Sequence, residues 1–274
     1  MSRTSRSLGL WLLCLVGLGC PQPDPYFVLA TTTSTHNSGL LDHLIPAFHA
    51  FSGIDVRPVV AGTGQALRIG ANCDAEAVLV HHRASEESFV AQGHSSRRFD
   101  VMYNDFVVIG PTSDPAGISG ASDAAVALRT IAASSSPFVS RGDDSGTHKA
   151  ELRLWSEAGT DPDASGLGWY RESGSGMGAT LNTAAAMGAY TVSDRGTWIS
   201  FKNRDGLAIH AQGDPRLFNP YGILPIDSER CRNERTPHAL AFVDWLVSEP
   251  GQAAIAEFRL AGEILFHPNA SGAH

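Results

Sequence analysis

Apolar and polar positions follow one another along this chain in a recurring order. A short apolar run leads into a turn rich in hydroxyl or glycine residues, and the turn leads into an amphipathic stretch at helical spacing. Tyr26, Phe27, Val28, Leu29 and Ala30 form an apolar strand, followed at once by Thr31, Thr32, Thr33, Ser34 and Thr35. Leu40, Leu41, Leu44, Ile45, Phe48 and Phe51 then line one face of a helix that Pro46 would bend. The order repeats with a strand over 56–61, the turn Gly62-Thr63-Gly64, and a short helix opening at Gln65, Ala66 and Leu67. It returns after Phe138 and Val139, where Ser140-Arg141-Gly142-Asp143-Asp144-Ser145-Gly146-Thr147-His148 precedes a helix carrying Leu152, Trp155 and Ala158 and stopped by Gly159.

Between these units the pattern predicts strands over 75–81, 102–110, 189–192 and 219–226, and helices over 86–92, 121–133 and 179–187. Ala239, Phe242, Val243, Leu246, Ala253, Ala254 and Phe258 supply one or two closing helices. The prolines at 220 and 225 suit an edge or crossing strand. Strands alternating with helices give an α/β class with mostly parallel sheets, in which ligands bind beyond the C-terminal strand ends.

Three hydroxyl- and glycine-rich turns sit at such ends, at 31–35, 62–64 and 141–147. Free backbone N–H groups at helix starts favour an anion, and one guanidinium adds a permanent charge. Together they point to a shared site for a tetrahedral oxyanion. Each turn can also be a capping device, with Ser145 or Thr147 as the N-cap and Arg141 paired to an aspartate. A Ser145–His148 hydrolase is a third reading. Neither 62–67 nor 173–178 is a nucleotide fingerprint, because no Gly-Lys-Ser/Thr follows the first and the glycine spacing of the second is wrong. Asp194 reads as an N-cap or as the partner of Arg195.

The chain has 274 residues, 43% hydrophobic, and a formal net charge of −8, which disfavours nucleic acid as a partner. Residues 1–20 read as a secretory signal, with Arg3 and Arg6 ahead of a short apolar run ending at Cys20. Cys20, before a proline-rich linker over 21–25, suggests lipidation, although Gly17 stands where leucine is usual. Ordinary cleavage after Cys20 is the alternative. Cys73 and Cys231 remain, as one disulfide or two buried thiols. No spacing joins cysteines to histidines in a metal site, since His81 and His82 point opposite ways in a strand.

The chain resembles the tungstate-binding component of bacterial ABC uptake transporters (the TupA type). The resemblance rests on 30–35, 62–67, Val101-Met102-Tyr103-Asn104-Asp105-Phe106, 140–148, Tyr190-Thr191 with Asp194-Arg195-Gly196-Thr197-Trp198, and Asn219-Pro220-Tyr221. Arg141, Asp143, Ser145, Gly146 and Thr147 also echo the turn of phosphate-binding proteins. The resemblance implies a two-lobe type II periplasmic binding protein fold with hinge-crossing strands, no enzymatic activity and no cofactor. It places 26–110 and 220–274 in the first lobe and 111–219 in the second, with crossings at 102–110 and 219–226. Thr32, Thr33, Ser34 and Thr63 would face the oxyanion from one side, and Arg141, Ser145, Gly146 and Thr147 from the other. The tungsten would be reached only through its oxo groups. Location in the periplasm or cell envelope, delivery to an ABC permease, and membrane contact only through a lipid anchor follow from the same likeness. A fully deprotonated dianion requires a site made of donors, so Asp143 or Asp144 should point back at Arg141 or cap the helix. Molybdate, phosphate and sulfate are the rival ligands. Cys73 stands where that family usually has glycine.

Overall fold

The computed structural model describes residues 25–162 and 168–270. The signal segment, Cys20 and all of the linker but Pro25 lie outside the described residues. The chain runs β1 (Tyr26–Thr32), α1 (Thr33–Asn37), α2 (Leu40–Ser52), β2 (Asp55–Ala61), α3 (Thr63–Ala71), β3 (Ala77–Val80), α4 (Arg83–Ala91) and β4 (Phe99–Pro111). Then come α5 (Ala124–Ala133), β5 (Phe138–Ser140), α6 (Gly146–Glu157), β6 (Tyr170–Glu172), α7 (Met177–Met187), β7 (Thr191–Asp194), α8 (Arg195–Ser200) and β8 (Leu207–Ala211). A 3-10 turn at Pro215–Leu217 leads to β9 (Phe218–Pro225), α9 (Thr236–Val247), α10 (Glu249–Glu257) and the short strands β10 (Arg259–Leu260), β11 (Glu263–Ile264) and β12 (His267–Pro268).

The main sheet has the order β12-β4-β9-β3-β1-β2. Helices cover both of its faces. On one face Phe27, Leu29 and Leu79 pack with Leu44 and Phe48 of α2, Phe242 and Leu246 of α9, and Ile255 of α10. On the other, Ala30, Val78 and Val80 pack with Leu67 of α3 and Phe89 of α4. Burial on both sides is why β3 reads as an unbroken apolar run instead of alternating.

β4 belongs to two cores. Its first half pairs with β9, from Phe99 opposite Ile223 to Asp105 opposite Phe218. From Phe106 onward it pairs antiparallel with β7 and β8. Phe106 and Val108 then face α5 and α6, through Leu128, Ile131, Leu154 and Trp155. Val107 and Ile109 face α7 and α8, through Met177, Leu181 and Trp198. Gly110 has no alternative here, since a Cβ on it would lie 2.2 Å from the Tyr190 ring.

The expectation of mostly parallel sheets is corrected. β1 pairs parallel with β2 and β3, and β5 with β6, but every named strand pair made by β4 or β9 is antiparallel. The chain leaves the first core along β4 and comes back along β9, so these two neighbours run in opposite directions, and alternation of elements does not reveal that. β9 is likewise interior, between β3 and β4, and not an edge strand. Two apolar residues expected on buried faces are exposed, Phe51 at 66% and Leu152 at 44%. The buried face of α6 instead carries Ala150, Glu151, Leu154 and Trp155. α2 runs through Pro46 to Gly53, whose left-handed backbone ends it. Cys73 and Cys231 are joined in a disulfide with Cα atoms 5.1 Å apart. Among the described residues no helix is long and apolar enough to cross a membrane.

Candidate functional site

A cavity of about 310 Å³ opens where the C-terminal ends of β1, β2 and β3 meet the loop after β5. It is lined by Thr32, Thr33, Ser34, Ala61, Gly62, Thr63 and His81 from one core, and by Arg141, Asp143, Ser145, Gly146, Thr147 and Gly176 from the other. All eight residues singled out as anion contacts are brought together in it. Four helix starts meet there: α1, α3, α6 and α7.

The five consecutive hydroxyls divide by role. Thr31 donates to the Leu79 carbonyl at 3.0 Å and belongs to the sheet. Thr32 caps α1, its Oγ1 accepting from Thr35 N at 3.3 Å, and Thr35 is fully buried against it. Thr32, Thr33 and Ser34 line the cleft. The caps of α3 and α7 are Gly62 and Gly176, which offer no side-chain acceptor, so the first N–H groups of these helices are uncapped. The glycine-rich segment before α7 thereby contributes a fourth helix start that composition alone did not assign.

The loop after β5 is held from behind. Glu151 is buried and accepts from Ser140 Oγ at 2.7 Å, Trp155 Nε1 at 3.1 Å and Tyr170 OH at 2.9 Å. Burial raises its pKa from 4.5 to about 7 against these donors. In front of it Arg141, only 8% exposed, donates through Nη2 to Asp143 Oδ2 and through Nε to the Ser175 carbonyl at 3.4 Å. The other Asp143 oxygen accepts from Ser145 N at 3.2 Å. Asp143 therefore points back at the guanidinium and the helix start, as a donor-only site requires. Asp144 pairs outward with Lys149.

Ser145 is the N-cap of α6, accepting from His148 N at 3.2 Å. The His148 ring turns the other way and accepts from Asp144 N at 3.1 Å. A nucleophile–base pair is absent from this turn, which removes the geometric basis of the hydrolase reading. Asp194 is the N-cap of α8, bonded to Thr197 N and Oγ1 at 2.7 Å each, whereas Arg195 pairs with Asp105 at 2.6 Å.

Among the described residues six buried side-chain polar atoms have no partner, and two of them, Thr63 Oγ1 and Thr147 Oγ1, line this cavity from opposite sides. Gly146 brings the sides together, because a Cβ there would stand 2.9 Å from His81 Cε1 and 3.3 Å from Thr63 Oγ1.

His81 is the cleft residue that the sequence reading missed. It follows β3 at the sheet's C-terminal edge, is 5% exposed, and stacks on Tyr221 with ring centroids 4.8 Å apart. Its Nε2 lies 2.9 Å from Ser34 Oγ and its Nδ1 3.0 Å from Asn219 Oδ1. Burial foremost, with some repulsion from His82 and Arg141, lowers its pKa from 6.5 to about 4. A polar residue ending an apolar run at a ligand-facing edge was the available signal. Among the described residues no group of three or more His, Cys, Asp or Glu could hold a metal ion.

The family model for the PBP superfamily domain matches residues 20–250. The chain is 46% identical over 248 residues to the tungstate-binding protein TupA of Peptoclostridium acidaminophilum, covering 89% of this chain and 86% of that one. It is 36% identical to the tungstate-binding protein TupA of Campylobacter jejuni over 237 residues, 85% of this chain and 87% of the other. The solved structure of the tungstate-binding protein TupA from Desulfovibrio alaskensis G20 superposes with a TM-score of 0.82 at 45% identity, covering 90% of this chain and all of that one.

Proposed function

The chain belongs to the tungstate-binding TupA family of the PBP superfamily, and from that premise we propose that the cleft between its two cores captures tungstate for delivery to an ABC permease. It is an extracytoplasmic solute-binding protein, not an enzyme. Thr32, Thr33, Ser34 and Thr63 are the ligand contacts on one side, and Arg141, Ser145, Gly146 and Thr147 those on the other. The observation that carries this reading is the pair of unpartnered hydroxyls, Thr63 Oγ1 and Thr147 Oγ1, buried on facing walls. An unsatisfied buried hydroxyl costs about 1–3 kcal/mol, and an acceptor-only ligand between them satisfies both at once. Uncapped N–H groups of α3 and α7 and the Arg141 charge add to the same field.

We place the division between lobes within β4, where its partners change between Asp105 and Phe106, and again in the segment entering β9. The first lobe then holds 26–105 and 218–270, and the second the residues between. In this reading the segment ahead of Cys20 is removed as a secretory signal, and Cys20 stays as the acylated anchor. Labelling with radioactive palmitate should be lost in Cys20→Ser, and retention of label in that variant removes the anchor.

Calorimetry of the mature protein with tungstate, molybdate, sulfate and phosphate tests the ligand. Tungstate should bind tightly, with molybdate as its nearest rival in size and charge. Tightest binding of phosphate would overturn the assignment. Phosphate is disfavoured in this reading because Asp143, the one carboxylate among the lining residues, is already bonded to Arg141 and Ser145 N, which leaves the Ser34 oxygen as a weaker acceptor for its proton.

A further inference from the structure

His81 and Ser34 share one hydrogen bond at the base of the cleft, and the proton arrangement around them is over-determined from behind. Asn219 Nδ2 donates to Asn104 Oδ1 at 2.6 Å, which leaves Asn219 Oδ1 as an acceptor facing His81 Nδ1 at 3.0 Å. His81 Nδ1 therefore carries hydrogen. In a neutral imidazole the other nitrogen is then bare, and Nε2 is the atom 2.9 Å from Ser34 Oγ. Ser34 has a single hydrogen; with Nε2 bare it is spent on His81, so in the 3.1 Å contact with Thr32 Oγ1 Ser34 can only accept. Towards the cavity Ser34 then offers no hydrogen, whereas Arg141 and the uncapped N–H groups of α3 and α7 are donors.

We propose that His81 is a positioning residue that sets which protonation state of an oxyanion the cleft accepts, so that capture of a fully deprotonated dianion is coupled to uptake of one proton by the His81–Ser34 pair. The inference rests on the oxyanion reading above and goes beyond it. The proton comes from solvent and is held on His81 Nε2, which then donates to Ser34 Oγ. Ser34 turns its own hydrogen to a ligand oxygen. No other bond is made or broken.

The surroundings keep the pair neutral while the cleft is empty. His81 is buried, Tyr221 stacks on it, and Arg141 and His82 both oppose a further positive charge. Asp143 lines the same cavity but is committed to Arg141, and buried Asp194 acts on Tyr221 and Arg141, while desolvation is the largest influence on the imidazole. A dianion in contact with Ser34 reverses that balance. An anion that carries its own proton, such as hydrogenphosphate, can donate it to the lone pairs of Ser34 and draws no proton onto the pair.

The test is calorimetry of sodium tungstate into the mature protein near neutral pH, in two buffers of different ionisation enthalpy. The heats should differ by an amount corresponding to uptake approaching one proton, and affinity should fall by up to ~tenfold per pH unit between the free-state and bound-state pKa of His81, levelling off above the latter. His81→Gln should bind with heats that no longer depend on the buffer. Tungstate binding with buffer-independent heats in the parent, or proton uptake that survives in the variant, overturns the coupling while leaving the oxyanion site standing. No tungstate binding in any buffer overturns both. Because His81→Gln can disturb folding, the imidazole ¹⁵N shifts of the parent are read as well. They should move to the doubly protonated pattern when tungstate is added, and persistence of the neutral form overturns the proposal.

Discussion

At the scale of single residues, the proposed anion site turns on Arg141 and Gly146. Arg141 supplies its cation, and the Asp143 bond fixes where the guanidinium sits. Arg141→Ala should weaken tungstate binding by ~1.5–3 kcal/mol, the range of a hydrogen bond to a charged group. Calorimetry showing unchanged affinity would remove it from the site. Gly146 acts through what it lacks. A methyl group there would press on the edge of His81, which cannot retreat because Tyr221 stacks against it. Gly146→Ala should cost binding ~1–3 kcal/mol by holding the walls apart, with little change in the melting temperature of the empty protein. An equal loss in both would mark Gly146 as structural only. Cys73 shows the opposite case, a non-glycine residue at φ 67°, held in the left-handed region by the bond to Cys231. The structure thus explains how a cysteine occupies a position where relatives were expected to use glycine.

Among elements, α6 and the strand before it act as one unit. Glu151 on α6 receives donors from β5 through Ser140, from its own helix through Trp155, and from β6 through Tyr170. That three-way junction fixes the direction in which residues 141–147 leave the strand. The carboxyl titrates at about 7 when folded against 4.5 in its ordinary state, so the native protein binds the extra proton between those values. The sign follows: the contribution of Glu151 is full at low pH and is lost as pH rises through about 7. The stability of the parent relative to Glu151→Gln should therefore fall between pH ~5 and ~8 in urea titrations. A constant difference across that range would mean the carboxylate is ionised throughout and fully compensated by its donors. The helical spacing located α6 to within a turn and put Trp155 and Ala158 in the core, where they are, but it was wrong at Leu152. Leu152 was counted as core and Glu151 was not considered, because periodicity ranks residues by hydropathy and cannot register a buried acid with its own donors.

For the whole molecule, the decisive feature is that one strand serves two cores. β4 carries the chain from the sheet of β1, β2, β3 and β9 to that of β7 and β8, and the cleft lies where these two bodies face each other. The disulfide ties the end of α3 to the segment after β9 across a sequence separation of 158 residues, entirely within the first body. Replacing both cysteines by serine should lower stability by ~2–5 kcal/mol, read as a lower urea midpoint, with tungstate affinity retained because neither residue approaches the cleft. An unaltered midpoint would show that the bond closes no loop that the unfolded chain keeps open. Saturating tungstate should raise the melting temperature, since a ligand at one hundred times its dissociation constant adds about 2.7 kcal/mol.

The amino-acid order alone determined the α/β alternation and the three polar turns at strand ends, because helix starts, hydroxyl runs and glycines act locally, while the eight expected contacts, all among the residues lining the cavity, came from the family resemblance. The order left open whether Cys73 meets Cys231, and its general expectation of mostly parallel sheets fails at β4 and β9. His81 went unrecognised, and the helix start at Gly176 was expected without being assigned to the cleft. Each of these depends on which distant segments become neighbours. A histidine at a strand end becomes a switch only when Asn219 fixes one of its nitrogens and Ser34 meets the other, and no spacing along the chain encodes that encounter.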